Sequence, residues 1–135
     1  MLKLDEFFAR SIGDSSLTRA LAQCAPTATV EQVIKLLQTS NAGSVAIVEN
    51  KKVVGIFTER DLLKKVALAT LDIKTTKISA VMTANPVAVR RQTKLSEAIG
   101  KMRNGKFRHL IVEDAYGVAE GVLELPAGDP VRDDP

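Results

Sequence analysis

Apolar residues fall in a pattern that occurs twice along the chain. Val30, Val33, Ile34 and Leu37 stand at i, i+3, i+4 and i+7, the spacing of one buried helical face. The same set returns 65 positions on as Leu95, Ala98, Ile99 and Met102. That offset also carries Gly43-Ser44-Val45-Ala46-Ile47-Val48 onto Arg108-His109-Leu110-Ile111-Val112-Glu113, and one residue of slippage brings Gly55-Ile56-Phe57 onto Gly121-Val122-Leu123. The protein therefore reads as two copies of one small unit. Neither copy buries much core alone, so the two are expected to pack about a pseudo-two-fold axis.

Within the first copy, Leu21 to Cys24 is extended and Pro26 favours an extended approach to the next element. Thr29 is the N-cap of the helix, with Gln32 completing a capping box. Val45 to Val48 and Val53 to Phe57 are strand-length apolar runs, separated by a turn at Asn50-Lys51-Lys52. From Thr58 the pattern is helical again, with Leu62, Leu63, Val66 and Ala67 facing inward. The order is strand, helix, strand, strand, helix. In the second copy Pro86 to Val89 is extended, Leu95 to about Arg103 helical, and Leu110 to Val112 and Val118 to Leu125 strands. Pro126, Gly128 and Pro130, with the aspartates from Asp129 on, forbid the last helix.

The expected fold class is α+β: two β-α-β-β-α repeats, the second without its final helix. The divisions expected are an N-terminal helical extension at 1–20, repeat one at 21–71, a linker at 72–84, repeat two at 85–125 and a flexible tail at 126–135. Leu4, Phe7, Phe8 and Ile12 give the extension an apolar stripe suited to core or dimer packing.

Composition narrows the function. With 135 residues, 45% hydrophobic and a net charge of +3, the chain is an ordinary globular fold. Its basic residues are scattered pairs, aromatics are 4% and Trp is absent, which argues against nucleic acid as a partner. Cys24 is the single cysteine, so no internal disulfide and no Cys/His zinc cluster form. No apolar run is long enough for a signal peptide or membrane insertion, so a cytoplasmic location is expected. One histidine, no Gly-rich phosphate loop and no ligand cluster argue against an enzyme.

A β-α-β-β-α unit carrying Gly55-Ile56-Phe57-Thr58-Glu59-Arg60-Asp61-Leu62 at its second strand-to-helix junction resembles the CBS (cystathionine β-synthase) domain, and two in tandem resemble the Bateman module. Val81-Met82-Thr83-Ala84-Asn85-Pro86-Val87-Ala88-Val89 is similar to the opening of a second unit, and Arg108-His109-Leu110-Ile111-Val112-Glu113-Asp114 to its middle strand. The resemblance runs from about residue 20 to 125. It implies a regulatory, non-catalytic sensor that needs no cofactor and takes an adenosine ligand of the AMP, ADP, ATP or NAD type. It also implies a homodimer and a regulated enzyme or transporter as partner.

At the junction Thr58 and Asp61 lie side by side at a helix start. A carboxylate can accept both hydroxyls of a cis-diol, and the threonine can add a hydrogen bond. The resemblance assigns both to ribose; Thr-x-x-Asp is equally a plain capping box, and the two roles can coexist. By the same resemblance Arg108 and His109 complete this site as phosphate donors, with Arg60 in reach. Ile56, Pro86, Val87 and Ala88 are the adenine positions, equally consistent with ordinary strand residues. The aligned junction of the second copy has Glu124 and Ala127 in place of Thr58 and Asp61, so the second site, lined also by Gly43 and Ser44, is expected to be dead. The alternative is an interaction or dimerisation module with a vestigial cleft.

Overall fold

In a computed structural model, residue 11 and residues 18–40 and 43–125 are described. The fold is α+β and divides into two compact units.

The first unit, Leu21–Pro86, holds a four-stranded sheet in the order β2-β3-β4-β5: β2 Gln23–Cys24, β3 Ser44–Glu49, β4 Lys52–Thr58 and β5 Thr83–Ala84. β2 pairs parallel with β3, and the other pairs are antiparallel. Helix α1, Val30–Thr39, starts at a capping box: Gln32 N–H donates to Thr29 Oγ1 and Thr29 N–H to Gln32 Oε1. Val30, Val33 and Leu37 bury against Val45, Ile47 and Phe57, every second residue of β3 and β4, so the helical period of three to four meets the strand period of two. After β4 come the single turn α2, Glu59–Asp61, and a π-helical turn, Leu62–Val66.

Among the described residues, the second unit takes in 11, 18–20 and 87–125. Its sheet runs β1-β8-β7-β6: β1 Thr18–Arg19, β6 Ala88–Arg90, β7 His109–Glu113 and β8 Ala119–Glu124. Helix α3, Leu95–Gly105, packs Leu95, Ala98 and Met102 against Val89, Leu110, Val112 and Leu123.

The two sheets match residue for residue. Ala46 pairs with Ile56 as Ile111 does with Val122, and Ser44 with Thr58 as His109 does with Glu124. The ladder slips between Ile47 and Val48, and again at the equivalent Val112 and Glu113. The one-residue slippage of the repeat lies in the hairpins. Asn50 and Lys51 turn the first at positive φ of 54° and 67°, while the longer second is closed by Asp114 Oδ1 accepting from Tyr116 and Val118 N–H.

Three expectations change. The extension at 1–20 is not helical at its end, because Thr18 and Arg19 pair with Leu123 and Val122 as the outer strand of the second sheet. The apolar stripe of Leu4, Phe7, Phe8 and Ile12 lies outside the described residues. The linker at 72–84 belongs to the first unit: Ile78 is fully buried in its core, Ile78 N–H bonds Ala28 O, and Thr83 pairs with Ile56. An outer strand that precedes its own repeat in sequence leaves no periodic signal there. Finally, Leu63 and Ala67 do not face inward. Leu63 is 66% exposed, and the segment buries Val66 and part of Leu62 instead. The tail at 126–135, with the expected absence of a last helix, lies outside the described residues.

Candidate ribose and phosphate site residues

Strand alternation divides each sheet into a helix-facing side and an opposite side. On the opposite side of the first sheet stand Ser44, Ala46, Ile56 and Thr58; on that of the second stand Ala88, His109, Ile111, Val122 and Glu124. Most of the polar candidates of the repeats therefore lie on the sides that the helices leave alone.

At the end of β4, Thr58 is extended (φ −115°, ψ 167°) and caps α2. Asp61 N–H donates to Thr58 Oγ1 at 3.2 Å, and Thr58 N–H donates to Asp61 Oδ2 at 3.0 Å. The capping box is thus formed. It leaves chemistry over: the Thr58 hydroxyl accepts there and keeps its own proton to donate, and each carboxylate oxygen has a further lone pair. Asp61 Oδ1 lies 3.5 Å from Lys65 Nζ, and the Asp61 side chain is only 15% exposed. Arg60 sits beside Asp61 on α2, half-buried.

In the second unit Arg108 precedes β7, and its carbonyl accepts Leu125 N–H at 3.0 Å. His109 opens the strand. Its Nε2 is buried, has no hydrogen-bond partner among the described residues, and lies 3.8 Å from Glu124 Oε1. His109 and Glu124 are paired across β7 and β8, so they are neighbours on one sheet face.

Ile56 is 7% exposed, two residues before Thr58 and on the same sheet face. Pro86 is half-buried, while Val87 and Ala88 are exposed at the start of the edge strand β6. The Val87 carbonyl accepts Ile111 N–H at 3.1 Å, which ties this segment to the sheet.

Two participants escaped the sequence reading. Lys65 donates to Val81 O and Thr83 Oγ1, both at 3.1 Å, besides facing Asp61. The i, i+4 spacing of Asp61 and Lys65 was the available signal. Glu124 as partner of His109 required the strand register. Burial pushes the Cys24 thiol up to about 11. Among the described residues, no group of three His, Cys, Asp or Glu is placed to hold a metal ion, and no helix is long and apolar enough to cross a membrane.

Two mixed four-stranded sheets, each with one helix against one face and polar residues at matching strand ends, define a tandem α+β repeat module. The chain belongs to the CBS domain family, which matches residues 10–68 and 78–125. It is 36% identical over 92 residues to CBS domain-containing protein CBSCBSPB5 of Arabidopsis thaliana, covering 68% of this chain and 17% of that protein. The chain thus spans less than a fifth of that relative's length. Among solved structures, it is similar to the CBS domain protein PAE2072 of Pyrobaculum aerophilum complexed with AMP (TM-score 0.75, 26% identity, 84% and 86% of the two chains). It is also similar to CBSX2 in complex with AMP (TM-score 0.71, 26% identity, 85% and 90% covered).

Proposed function

We propose that this CBS pair is a non-catalytic regulatory module that binds one adenine nucleotide, of the AMP, ADP, ATP or NAD type, per chain. The observation that carries the reading is the Thr58–Asp61 junction: a nearly buried carboxylate with lone pairs to spare beside a hydroxyl with a proton to donate. The AMP complexes of PAE2072 and CBSX2 support adenosine as the ligand class. In this reading Thr58 and Asp61 take the ribose diol, and Arg108 and His109 take phosphate, with Arg60 assisting. Ile56, Pro86, Val87 and Ala88 flank the base. The orphaned His109 Nε2 supports the phosphate role, because a buried unsatisfied polar atom costs about 1–3 kcal/mol that a phosphate oxygen would offset. The partner is a regulated enzyme or transporter, and the setting is cytoplasmic.

Calorimetry tests this. Asp61→Ala should weaken AMP binding by about 1.5–3 kcal/mol, the scale of a hydrogen bond to a charged group, while the lost cap costs about 1 kcal/mol of stability. Lower stability with unchanged binding would leave Asp61 a cap alone. A second reading, self-association, is favoured by the exposed Leu63 (66%) and Leu68 (86%). Light scattering at tens of micromolar decides it, a homodimer being the expected result.

A further inference from the structure

Lys65 is the point where two separate segments of the first unit meet. Its ammonium has three protons and three acceptors: Val81 O at 3.1 Å, Thr83 Oγ1 at 3.1 Å, and Asp61 Oδ1 at 3.5 Å. An exposed i, i+4 ion pair alone would contribute only a few tenths of a kcal/mol and would not hold a fixed geometry. Here the two other acceptors come from residues 16 and 18 positions along the chain, so the ammonium is anchored independently of Asp61. The turn that carries Lys65 is also wider than an α-helical one, with Ala67 N–H bonded to Leu62 O at 2.9 Å. Such π-helical turns are rare and recur at functional sites.

The consequence falls on the Asp61 carboxylate. Thr58 N–H holds Oδ2 and Lys65 Nζ faces Oδ1, so both oxygens are engaged and the carboxylate plane is set from two sides. A cis-diol requires both oxygens to be presented together, and a carboxylate free to rotate would meet the cost of ordering when ligand arrives.

We propose that Lys65 is a positioning residue for Asp61 and, through it, sets preference for a ribose bearing both hydroxyls over a 2′-deoxyribose; this rests on the nucleotide reading above. Thr83 belongs to the same device as the anchor of the lysine.

The test compares AMP with 2′-deoxy-AMP by calorimetry on the full chain, with thermal unfolding of each variant alongside. Lys65→Met should weaken AMP about tenfold, the weight of about one net hydrogen bond, and shrink the preference for AMP over its 2′-deoxy form. Lys65→Arg should keep most of both, and Thr83→Val should reproduce the Lys65→Met change in smaller measure. Equal losses for both nucleotides would make Lys65 a structural clasp and overturn the inference. Wild-type affinity and preference in Lys65→Met, with both lost in Asp61→Ala, would overturn it while leaving the nucleotide reading standing. Binding unaffected by Asp61→Ala would remove that reading and the inference with it. Should Lys65→Met not fold, Lys65→Arg and Thr83→Val carry the same comparison.

Discussion

In the first repeat the paired strands β3 and β4 end on Ser44 opposite Thr58; in the second, β7 and β8 end on His109 opposite Glu124. Everything beneath these pairs is the same: the antiparallel register, the bulge, the parallel strand beside it, and the hydrogen bond from Ala46 N–H to Ala22 O that recurs from Ile111 N–H to Val87 O. Two hydroxyls have been exchanged for an imidazole and a carboxylate without moving the frame. The frame depends on the helix-facing side, where Phe57 and Leu123 occupy equivalent positions and both are fully buried. The other side is where chemistry can diverge, since its changes need not disturb helix packing.

The hardest way to break the comparison is to remove those two side chains. Phe57→Ala should cost about 3–5 kcal/mol, and Leu123→Ala about 2–5 kcal/mol, from lost burial and the cavity left behind. Urea unfolding of each variant measures this. A cost below about 1 kcal/mol at either position would mean that the core of that repeat is loosely held.

Cys24 gives the next contrast, because its equivalent in the second repeat, by register with Val112 instead of Ile47, is Val89. The thiol is pushed up from 9.0 to about 11 by burial, so at pH 8 its thiolate is scarcer than an ordinary thiol's by about a hundredfold. Alkylation by iodoacetamide at pH 8 should be slower in the native chain than in urea by a comparable factor. The sign for stability follows: the neutral thiol is preferred in the fold, so its contribution is intact below pH 9 and is lost as pH rises towards 11. Rapid native alkylation would show that the β2 edge opens readily.

Much of this was legible in the residues, and the parts that were not share a cause. The helix faces of α1 and α3, the strands β3, β4, β7 and β8, and the Thr29 and Thr58 boxes depend on neighbours within a few positions, so periodicity and capping spacing report them. The outer strands β1 and β5 are two residues long and pair with partners far along the chain, which no local pattern encodes. Ile78 shows the same: it follows the polar run Lys74-Thr75-Thr76-Lys77, and it is fully buried where its backbone bonds to Ala28. At the candidate site, Thr58 and Asp61 were readable from spacing, whereas Lys65 over Val81 and Glu124 beside His109 came from tertiary hydrogen bonding and strand register.

Glu124 sharpens the contrast between strand ends. A unit charge about 5 Å from a bound phosphate opposes it by about 0.8 kcal/mol even at the dielectric of water, and the Glu124 side chain, 20% exposed, lies in a lower one. Glu124→Gln should therefore tighten AMP at least about fourfold if His109 meets the phosphate, and leave adenosine unchanged. Equal effects on AMP and adenosine would place the phosphate away from His109.

The smallest difference lies at the helix starts. In the first repeat Thr29 caps α1 with Gln32 in return, while the equivalent Lys94 makes no side-chain cap on α3, although Glu97 already stands at the position of Gln32. A lysine there also sets positive charge against the positive end of the helix. Glu97 N–H bonds the Lys94 carbonyl, which it shares with Ala98 N–H, both at 3.1 Å. Lys94→Thr offers Glu97 N–H a hydroxyl instead and completes a Thr-x-x-Glu box, so it should stabilise the chain by about 0.5 kcal/mol, the low end for caps. The reverse exchange, Thr29→Lys, should cost about 1 kcal/mol. Denaturant midpoints at unchanged slope would register both. If Lys94→Thr gives no gain while Thr29→Lys shows its cost, the shared Lys94 carbonyl serves the first turn of α3 as well as a hydroxyl would, and the two helix starts differ in how they are closed rather than in how well.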